Sequence, residues 1–307
     1  MATSNSVNFT VTRNDLITEA LELCQVLASG ETPTGEDTTT CSRSLNLLTK
    51  AWMADGLHIF QKQEVTLFHV VGAASYTLGT AHASASHVET TLSADEAAGQ
   101  TVLSITSTAG MTAADAIGIE LDDATRQWTT IATVDSATQV TVDAALTGAA
   151  ASGNTVYTYT TLMDIPKRVI SARRRSKDGY EAPVYVYARE DYMELANKTH
   201  QGKVVQVFYD KNGDGTLYVW PTADLVSDML NMTVERPLDD FDAAADNPDF
   251  PAEWFLALSY GLAALIATKY GVAVQERAYL KAEAEEHKAR VMAWDAEDGP
   301  VFFQPGP

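Results

Sequence analysis

The sequence predicts an α+β fold with a helical core, a β-sheet domain and an inserted small all-β domain. Apolar residues recur at helical spacing near both ends of the chain, whereas short β-type runs fill the middle. Residues 82–160 differ in composition from both flanks, because they are rich in Thr, Ala, Ser and Val and contain Arg126 as their only Lys or Arg. We therefore predict one interrupted core domain, 1–81 with 161–307, and an inserted β-module at 82–160.

The chain has 307 residues, of which 46% are hydrophobic and 20% charged, so it can bury a substantial core. Its formal charge of −20 excludes a protein that collects nucleic acid by counterion release. The segment Met1–Thr12 lacks the basic and apolar regions of a signal peptide. The longest apolar run, Trp254–Thr268, is too short to span a membrane. We therefore expect a cytoplasmic protein without membrane insertion.

The N-terminal region is predicted to form a helical hairpin. Thr12 with Asp15, and Thr34 with Asp37, have the spacing of N-terminal capping boxes. Gly30 and Pro33 separate the two helices, and Gly56 suits the end of the second. Their apolar stripes, predicted to be core, comprise Leu16, Ile17, Ala20, Leu21, Leu23, Cys24, Leu27, Cys41, Leu45, Leu48 and Trp52.

The middle of the chain is predicted to be extended except for one short helix, Arg189–Asn197. Lys211–Gly215 is predicted to be the turn of a hairpin. The predicted strands include Val65, Leu67 and Val70, Tyr76 with Leu78, Val102–Ile105, Ile117–Leu121, Trp128–Val134, Val140–Val142, Val156–Tyr159, Leu162–Arg175, Val184–Tyr187, Val204–Tyr209, Leu217–Trp220 and Leu230–Glu235.

The C-terminal region is predicted to be helical after an acidic loop, Asp239–Phe250. Pro251 begins the first helix, Tyr270-Gly271 ends it, and a charged second helix covers 273–295. The tail that follows contains three adjacent apolar residues between Gly-Pro pairs. Such a patch either docks on a partner or folds back on its own domain. Its apolar residues are Val301, Phe302 and Phe303.

One sequence motif resembles half of a metal site. Asp210-x-Asn212-x-Asp214-Gly215 matches the first half of a calcium-binding loop, but Pro221 stands where the bidentate Glu belongs. A plain hairpin turn is the favoured interpretation.

Other candidate sites are weaker still. Glu283, Glu286 and His287 share a helix but lack ligands from a facing helix, so we expect a solvated charged face. A carboxylate pair of the glycosidase kind carries no information in so acidic a chain. The sequence contains no nucleophile elbow, phosphate loop, dinucleotide fingerprint or metalloprotease helix. We therefore predict no catalytic residue, no metal and no cofactor.

A basic window is the most unusual charge feature of the chain. These basic residues contact an acidic neighbouring subunit, contact a phosphate backbone, or form a solvated strand end. Its members are Lys167, Arg168, Arg173, Arg174, Arg175 and Lys177.

Four segments, in this order, resemble the head-to-tail adaptors, or tail accessory factors, of short-tailed bacteriophages. They are Leu16–Phe60, Ser75–Gly79, Asp164–Arg175 and Phe250–Val272. The module at 82–160 is absent from the simplest members of that family and resembles a β-domain of several phage virion proteins.

The resemblance implies a structural virion protein, not an enzyme, that joins the portal to the tail. Such subunits form a dodecameric ring of identical copies, assembled in the host cytoplasm, that continues the DNA channel used in genome ejection. The ring carries tail nozzle or fibre proteins. Because the C-terminal extension of this family reaches toward the portal, the resemblance makes Val301, Phe302 and Phe303 candidate portal anchors.

The charge of the chain is compatible with this role, since DNA must pass through such a ring without specific binding. A closed ring also needs a heterologous interface, in which each copy offers two different surfaces. We hypothesise that the basic window of one copy meets the acidic loop of the next. The candidate interface residues are Arg173, Arg174, Arg175, Asp239, Asp240 and Asp242. A tail-associated peptidoglycan-degrading enzyme and a glycan- or fibre-binding module remain the alternatives.

Overall fold

The structure is a computed structural model that describes residues 6, 8–55, 61–211 and 213–294. It is 26% helical and 29% strand, which confirms the α+β class. The chain divides into two compact units, Met1–Gln61 with Leu238–Pro307, and Lys62–Pro237. Within the described ranges, no helix is both long and apolar enough to cross a lipid bilayer.

The helices are α1 (Arg13–Leu23), α2 (Gly35–Ala54), α3 (Arg189–Met193), α4 (Phe255–Ile266) and α5 (Val274–Trp294). The strands are β1 (Lys62–Phe68), β2 (Ser75–Thr77), β3 (Ala83–Ser84), β4 (Val88–Thr91), β5 (Val102–Ser104), β6 (Ala116–Glu120), β7 (Arg126–Ser136), β8 (Gln139–Val142), β9 (Thr155–Tyr159), β10 (Arg168–Arg175), β11 (Glu181–Val186), β12 (Gln201–Gly202), β13 (Gln206–Asp210), β14 (Thr216–Trp220), β15 (Thr222–Ala223) and β16 (Met229–Glu235).

The first unit contains α1, α2, α4 and α5, and its helix starts follow the sequence. The capping box of α1 is confirmed, because Asp15 accepts from the Thr12 backbone N–H at 2.8 Å and donates its own N–H to the Thr12 hydroxyl. These hydrogen bonds hold the pKa of Asp15 below its usual range. Thr34 caps α2, but the Asp37 carboxylate accepts from the Thr34 hydroxyl rather than from its backbone N–H.

The core of this helical unit is formed by α1, α2 and α4. Trp254, Leu258 and Leu262 on the C-terminal side are fully buried against apolar side chains of the N-terminal helices. Cys24 and Cys41 are free, buried thiols, as predicted. Burial raises the pKa of Cys24 to about 11, so this thiol stays protonated and behaves as a small apolar group.

The second unit contains an eight-stranded sheet in the order β2-β14-β13-β11-β10-β16-β1-β3. All its neighbours are antiparallel except β11 and β13, which run parallel. Because side chains alternate along a strand, Val65 and Leu67 face a buried cluster, whereas Glu64 and Thr66 face the opposite, polar side. This polar side also holds Arg168, Arg173 and Arg175 of β10, whereas Arg174 lies in register with Leu230 on the opposite side.

A six-stranded antiparallel sheet, in the order β4-β9-β6-β7-β8-β5, lies in the same unit. All five β-type runs predicted between residues 102 and 159 are strands in the structure. This sheet has its own apolar cluster, in which Leu103, Ile117, Ile119 and Val140 are fully buried. The division of the chain into an inserted domain at 82–160 and a surrounding core stays a prediction.

Several predicted elements have different ends in the structure. Helix α1 ends at Leu23 rather than near Leu27, because Gln25 adopts a left-handed φ of 59°. Helix α3 ends at Met193, where the Lys198 ammonium donates to the carbonyl oxygen. Strand β10 begins at Arg168, after Pro166, which has no N–H to offer a ladder.

The remaining differences lie beside helix and strand ends. A 3-10 turn, Ala252–Trp254, separates Pro251 from α4, and Val70 lies outside β1 and is exposed. Gly56 lies outside the described residues.

Candidate functional site

The predicted basic residues of β10 form an arginine row whose charges are balanced inside the chain. Arg173 donates from Nη2 to Glu64 Oε2 at 2.7 Å, and its Nε lies 3.1 Å from Glu181 Oε2. Arg174 Nε lies 3.7 Å from a carboxylate oxygen of the buried Asp228. The other two arginines are also paired, Arg168 with Glu235 and Arg175 with Glu89, the latter at 3.2 Å.

Hydroxyl and amide groups connect this row across four strands. The Thr66 hydroxyl donates to Asn231 at 2.9 Å, and the Asn231 amide donates to Glu181 at 3.1 Å. On the next rung the Ser171 hydroxyl donates to that of Thr233 at 3.0 Å. Arg173 is therefore part of a connected surface network, and the other arginines of the row each have a carboxylate partner.

The predicted acidic residues lie in the other unit, where the acidic loop is held against α1 and α2. Arg13 donates its backbone N–H to the Asp246 carbonyl at 2.7 Å, and its Nη1 to the Asp242 carbonyl at 3.0 Å. Asp239 donates its backbone N–H to the Asp249 carboxylate, and the Asp240 carboxylate pairs with Lys50. The predicted contact between Arg173–Arg175 of one copy and this loop of the next stays a prediction.

A cleft of about 520 Å³ opens beside the acidic loop, within the helical unit. Three of its lining side chains are cationic and one is a carboxylate, so the cleft suits an anionic group. Sequence reasoning missed it, although Arg43 and Lys50 are seven residues apart and thus share a face of α2. The lining residues are Arg13, Thr38, Thr39, Ser42, Arg43, Asn46, Leu47, Lys50 and Asp240.

An aromatic cluster joins the two sheets of the second unit. Phe68 is buried, with its ring centroid 5.1 Å from that of Tyr157 and 5.2 Å from that of Trp128. The ring of His82 stacks on Trp128 at 4.0 Å, and its Nδ1 lies 2.6 Å from the Tyr159 hydroxyl. Contacts of this kind fix the orientation of one sheet on the other.

Two groups in and near this cluster, Arg126 and His82, have lowered pKa values. The Arg126 guanidinium lies 4.6 Å from the centroid of the Tyr157 ring, and burial lowers the pKa of Arg126 to about 10. Burial and the positive charge of Arg126 lower the pKa of His82 to about 4, so its imidazole is neutral near neutral pH. Because these side chains pack on one another between the two sheets, we interpret the cluster as structural.

The calcium-like motif lies in a β-hairpin, as predicted. Strands β13 and β14 pair from Gln206–Trp220 to Asp210–Thr216, and Asp210 forms an ion pair with Arg189. Asn212 lies outside the described residues. Across the part of the chain that the structure describes, no three His, Cys, Asp or Glu side chains are grouped as metal ligands.

The remaining predicted positions fall in two places. His287 Nε2 lies 3.6 Å from Glu283 Oε2 on the same face of α5. The predicted portal anchors, Val301, Phe302 and Phe303, lie outside the described residues.

No protein-family model and no curated protein matches the chain. Among solved structures, the chain is similar to the Gp54 tailspike of Acinetobacter baumannii bacteriophage AP22, in complex with A. baumannii capsular saccharide. The match has 16% sequence identity and a TM-score of 0.21, and covers 24% of this chain and 14% of the tailspike chain. A likeness of this size identifies neither a family nor a function.

Proposed function

We propose that the chain is a structural virion protein, a head-to-tail adaptor of a short-tailed bacteriophage. In this role, identical copies form a ring beneath the portal, continue the DNA channel, and carry nozzle or fibre proteins of the tail. The resemblance of four ordered segments at both ends and in the middle of the chain supports this proposal. The formal charge of −20 also fits a wall past which DNA slides, because like charges repel.

The structural observation that carries the proposal is the apolar surface of the helical unit. Helix α2 exposes Leu47, α4 exposes Leu256, and α5 exposes Tyr279 and Trp294. Side chains of this kind are available for apolar contact with another protein. A subunit that contacts its neighbours, the portal and tail proteins needs several such surfaces.

The experiment that tests the proposal is native mass spectrometry of the purified protein, alone and with the portal protein of its own phage. We expect a ring of many copies on the portal. Replacing both Phe302 and Phe303 with Ser should abolish portal binding, since the proposed anchor then loses its apolar side chains. Tyr180→Ser, which changes an exposed aromatic residue of the other unit, is the matched control.

Absence of any mass shift with the portal, under all buffer conditions, would refute the adaptor role. Unchanged portal binding by the double Phe variant would refute only the anchor. Turnover of peptidoglycan by the purified protein would instead favour a cell-wall hydrolase.

A further inference from the structure

The cleft beside the acidic loop has one wall formed by a face of α2. Thr39, Arg43 and Leu47 follow one another at intervals of four residues, so they lie in a row along this helix. Lys50 continues the same side of the helix, and Arg13 at the start of α1 forms the opposite wall. Both walls belong to the helical unit.

The charge of the cleft is opposite to that of the chain as a whole. Asp240 pairs with Lys50, so Arg13 and Arg43 are the cations left without a carboxylate. Among the described residues, no carboxylate pairs with either arginine. The cleft is thus a local positive region in a chain of formal charge −20.

Arg13 is the more informative of the two arginines, because only 9% of it is exposed. Its Nη1 and Nη2 donate to neutral oxygens, the Asp242 carbonyl at 3.0 Å and Asn14 Oδ1 at 3.3 Å. Its Nε is buried and has no hydrogen-bond partner among the described residues. A buried guanidinium without a counter-charge is costly, and a carboxylate placed in the cleft would remove that cost.

Apart from Ser42, the neighbouring polar groups of the cleft are already occupied. The Thr38 and Thr39 hydroxyls donate to carbonyl oxygens of Thr34 and Gly35, each at 2.9 Å. The Asn46 amide holds Phe241 of the acidic loop through two hydrogen bonds. Recognition therefore depends on the two arginines, which favour planar oxyanions.

We propose that this cleft receives carboxylate side chains of a second copy of the chain, and so forms the cationic side of the contact between neighbours in the ring. The inference rests on the proposed adaptor function. A heterologous interface needs a surface on one copy that differs from the surface it meets on the next. The chain offers 41 acidic residues as partners, and Leu47, which is 61% exposed at the cleft edge, adds apolar contact.

A second copy fits the cleft better than DNA does. Binding of a phosphate backbone needs many cations along its length, and a cleft with two arginines that are unpaired among the described residues presents too few. The net charge of −20 opposes DNA and a second copy alike and does not decide between them. A carboxylate presented by a docked neighbour is held at the cleft by the rest of the interface, so two arginines are sufficient to orient it.

The first test reverses the charge of Arg43. Its side chain is exposed and has no ion-pair partner in the described part of the chain, so Arg43→Glu should leave folding intact. At low salt we expect roughly tenfold less ring on the portal for this variant than for the wild type, and at high salt a smaller difference between the two. Arg290→Glu on α5, whose guanidinium pairs with Glu286 one turn away, should leave ring formation unchanged.

The second test identifies the occupant. A benzoylphenylalanine photo-crosslinker at Leu47, in rings formed from equal amounts of ¹⁴N- and ¹⁵N-labelled protein, should give mixed-isotope peptides with an acidic segment of another copy. Crosslinks to DNA, to the portal or within one copy would overturn the proposal. If Arg43→Glu forms rings as well as the wild type, the cleft is not the contact, although the adaptor function stands. If the wild type forms no ring, both proposals fail.

Discussion

His69 should make the stability of the second unit depend on pH. The residue follows β1 directly and is 1% exposed, and neither ring nitrogen has a hydrogen-bond partner among the described residues. Burial lowers its pKa to about 3, and the positive charges of Arg126, Arg174 and Lys203 act in the same direction against a partial opposing effect of Asp224. The folded state therefore holds this imidazole neutral.

The sign and size of the effect follow from linkage. An unfolded histidine has a pKa of about 6.5, so below that pH the unfolded state binds a proton that the folded state does not bind. Stability is fully present above about pH 6.5 and is lost as the pH falls toward the folded pKa of about 3. At about pH 5 the loss is about 1.5 pKa units, or about 2 kcal/mol. This figure depends on the unfolded pKa alone, provided that the folded pKa lies well below 5.

The assay is urea unfolding at about pH 8 and about pH 5, followed by the circular dichroism of the β-sheets, for the wild type and His69→Leu. Leu removes the titrating group and its unpartnered nitrogens. The wild type should lose about 2 kcal/mol more than the variant between the two pH values. His200→Gln, at an exposed position, is the control and should behave as the wild type. Equal pH dependence for the wild type and His69→Leu would refute the reasoning.

Three further predictions concern packing in the second unit. Gly215→Ala should lower the free energy of unfolding by about 2 kcal/mol or more, because φ is +64° and a Cβ would lie 2.5 Å from a side-chain carbon of Ile165. Gly213→Ala, which has open space around it, should cost about 1 kcal/mol, and equal losses for the two variants in thermal melts would contradict this. Phe68→Ala should cost about 3–5 kcal/mol in urea unfolding, and a loss below about 1 kcal/mol would mean that the aromatic cluster does not join the sheets. A double-mutant cycle of Glu64→Gln and Arg173→Gln should give a coupling of about 0.2–1 kcal/mol that shrinks with salt, and a salt-independent value would contradict a surface ion pair.

Features that depend on neighbours in sequence could be predicted. The Thr12 cap needs only the side chain three residues later, and the five strands between residues 102 and 159 need only β-branched and aromatic residues between turn residues. The hairpin at Asp210 was likewise predictable, because the absence of a second half of the calcium loop is visible in the sequence.

Features that depend on strand order could not be predicted. Glu64 and Arg173 are 109 residues apart, and they meet only because β16 lies between β1 and β10. The sequence therefore shows a row of arginines but not the carboxylates that neutralise it. The parallel pairing of β11 with β13 has the same origin, since no local signal distinguishes it from an antiparallel neighbour.

The cleft was only half visible for a similar reason. The spacing of Arg43 and Lys50 on one face of α2 can be read from the sequence, but the burial of Arg13 and the fold of the acidic loop against it are tertiary facts. Burial of His69 is also tertiary, since a residue just after a strand end is as often exposed as buried.

The helical unit is made from segments far apart in the chain, which has a consequence for synthesis on the ribosome. The Cys24 thiol donates to the Ala263 carbonyl, 239 residues later, and the Tyr270 hydroxyl donates to Asp37 at 2.8 Å. Because a chain leaves the ribosome N-terminus first, both sheets of the second unit can fold before α4, against which α1 and α2 pack, has been synthesised. The cleft is completed only when the acidic loop arrives to cover Arg13. In the proposed ring, a nascent subunit would therefore acquire its contact surface late in translation, which would limit premature association of unfinished copies.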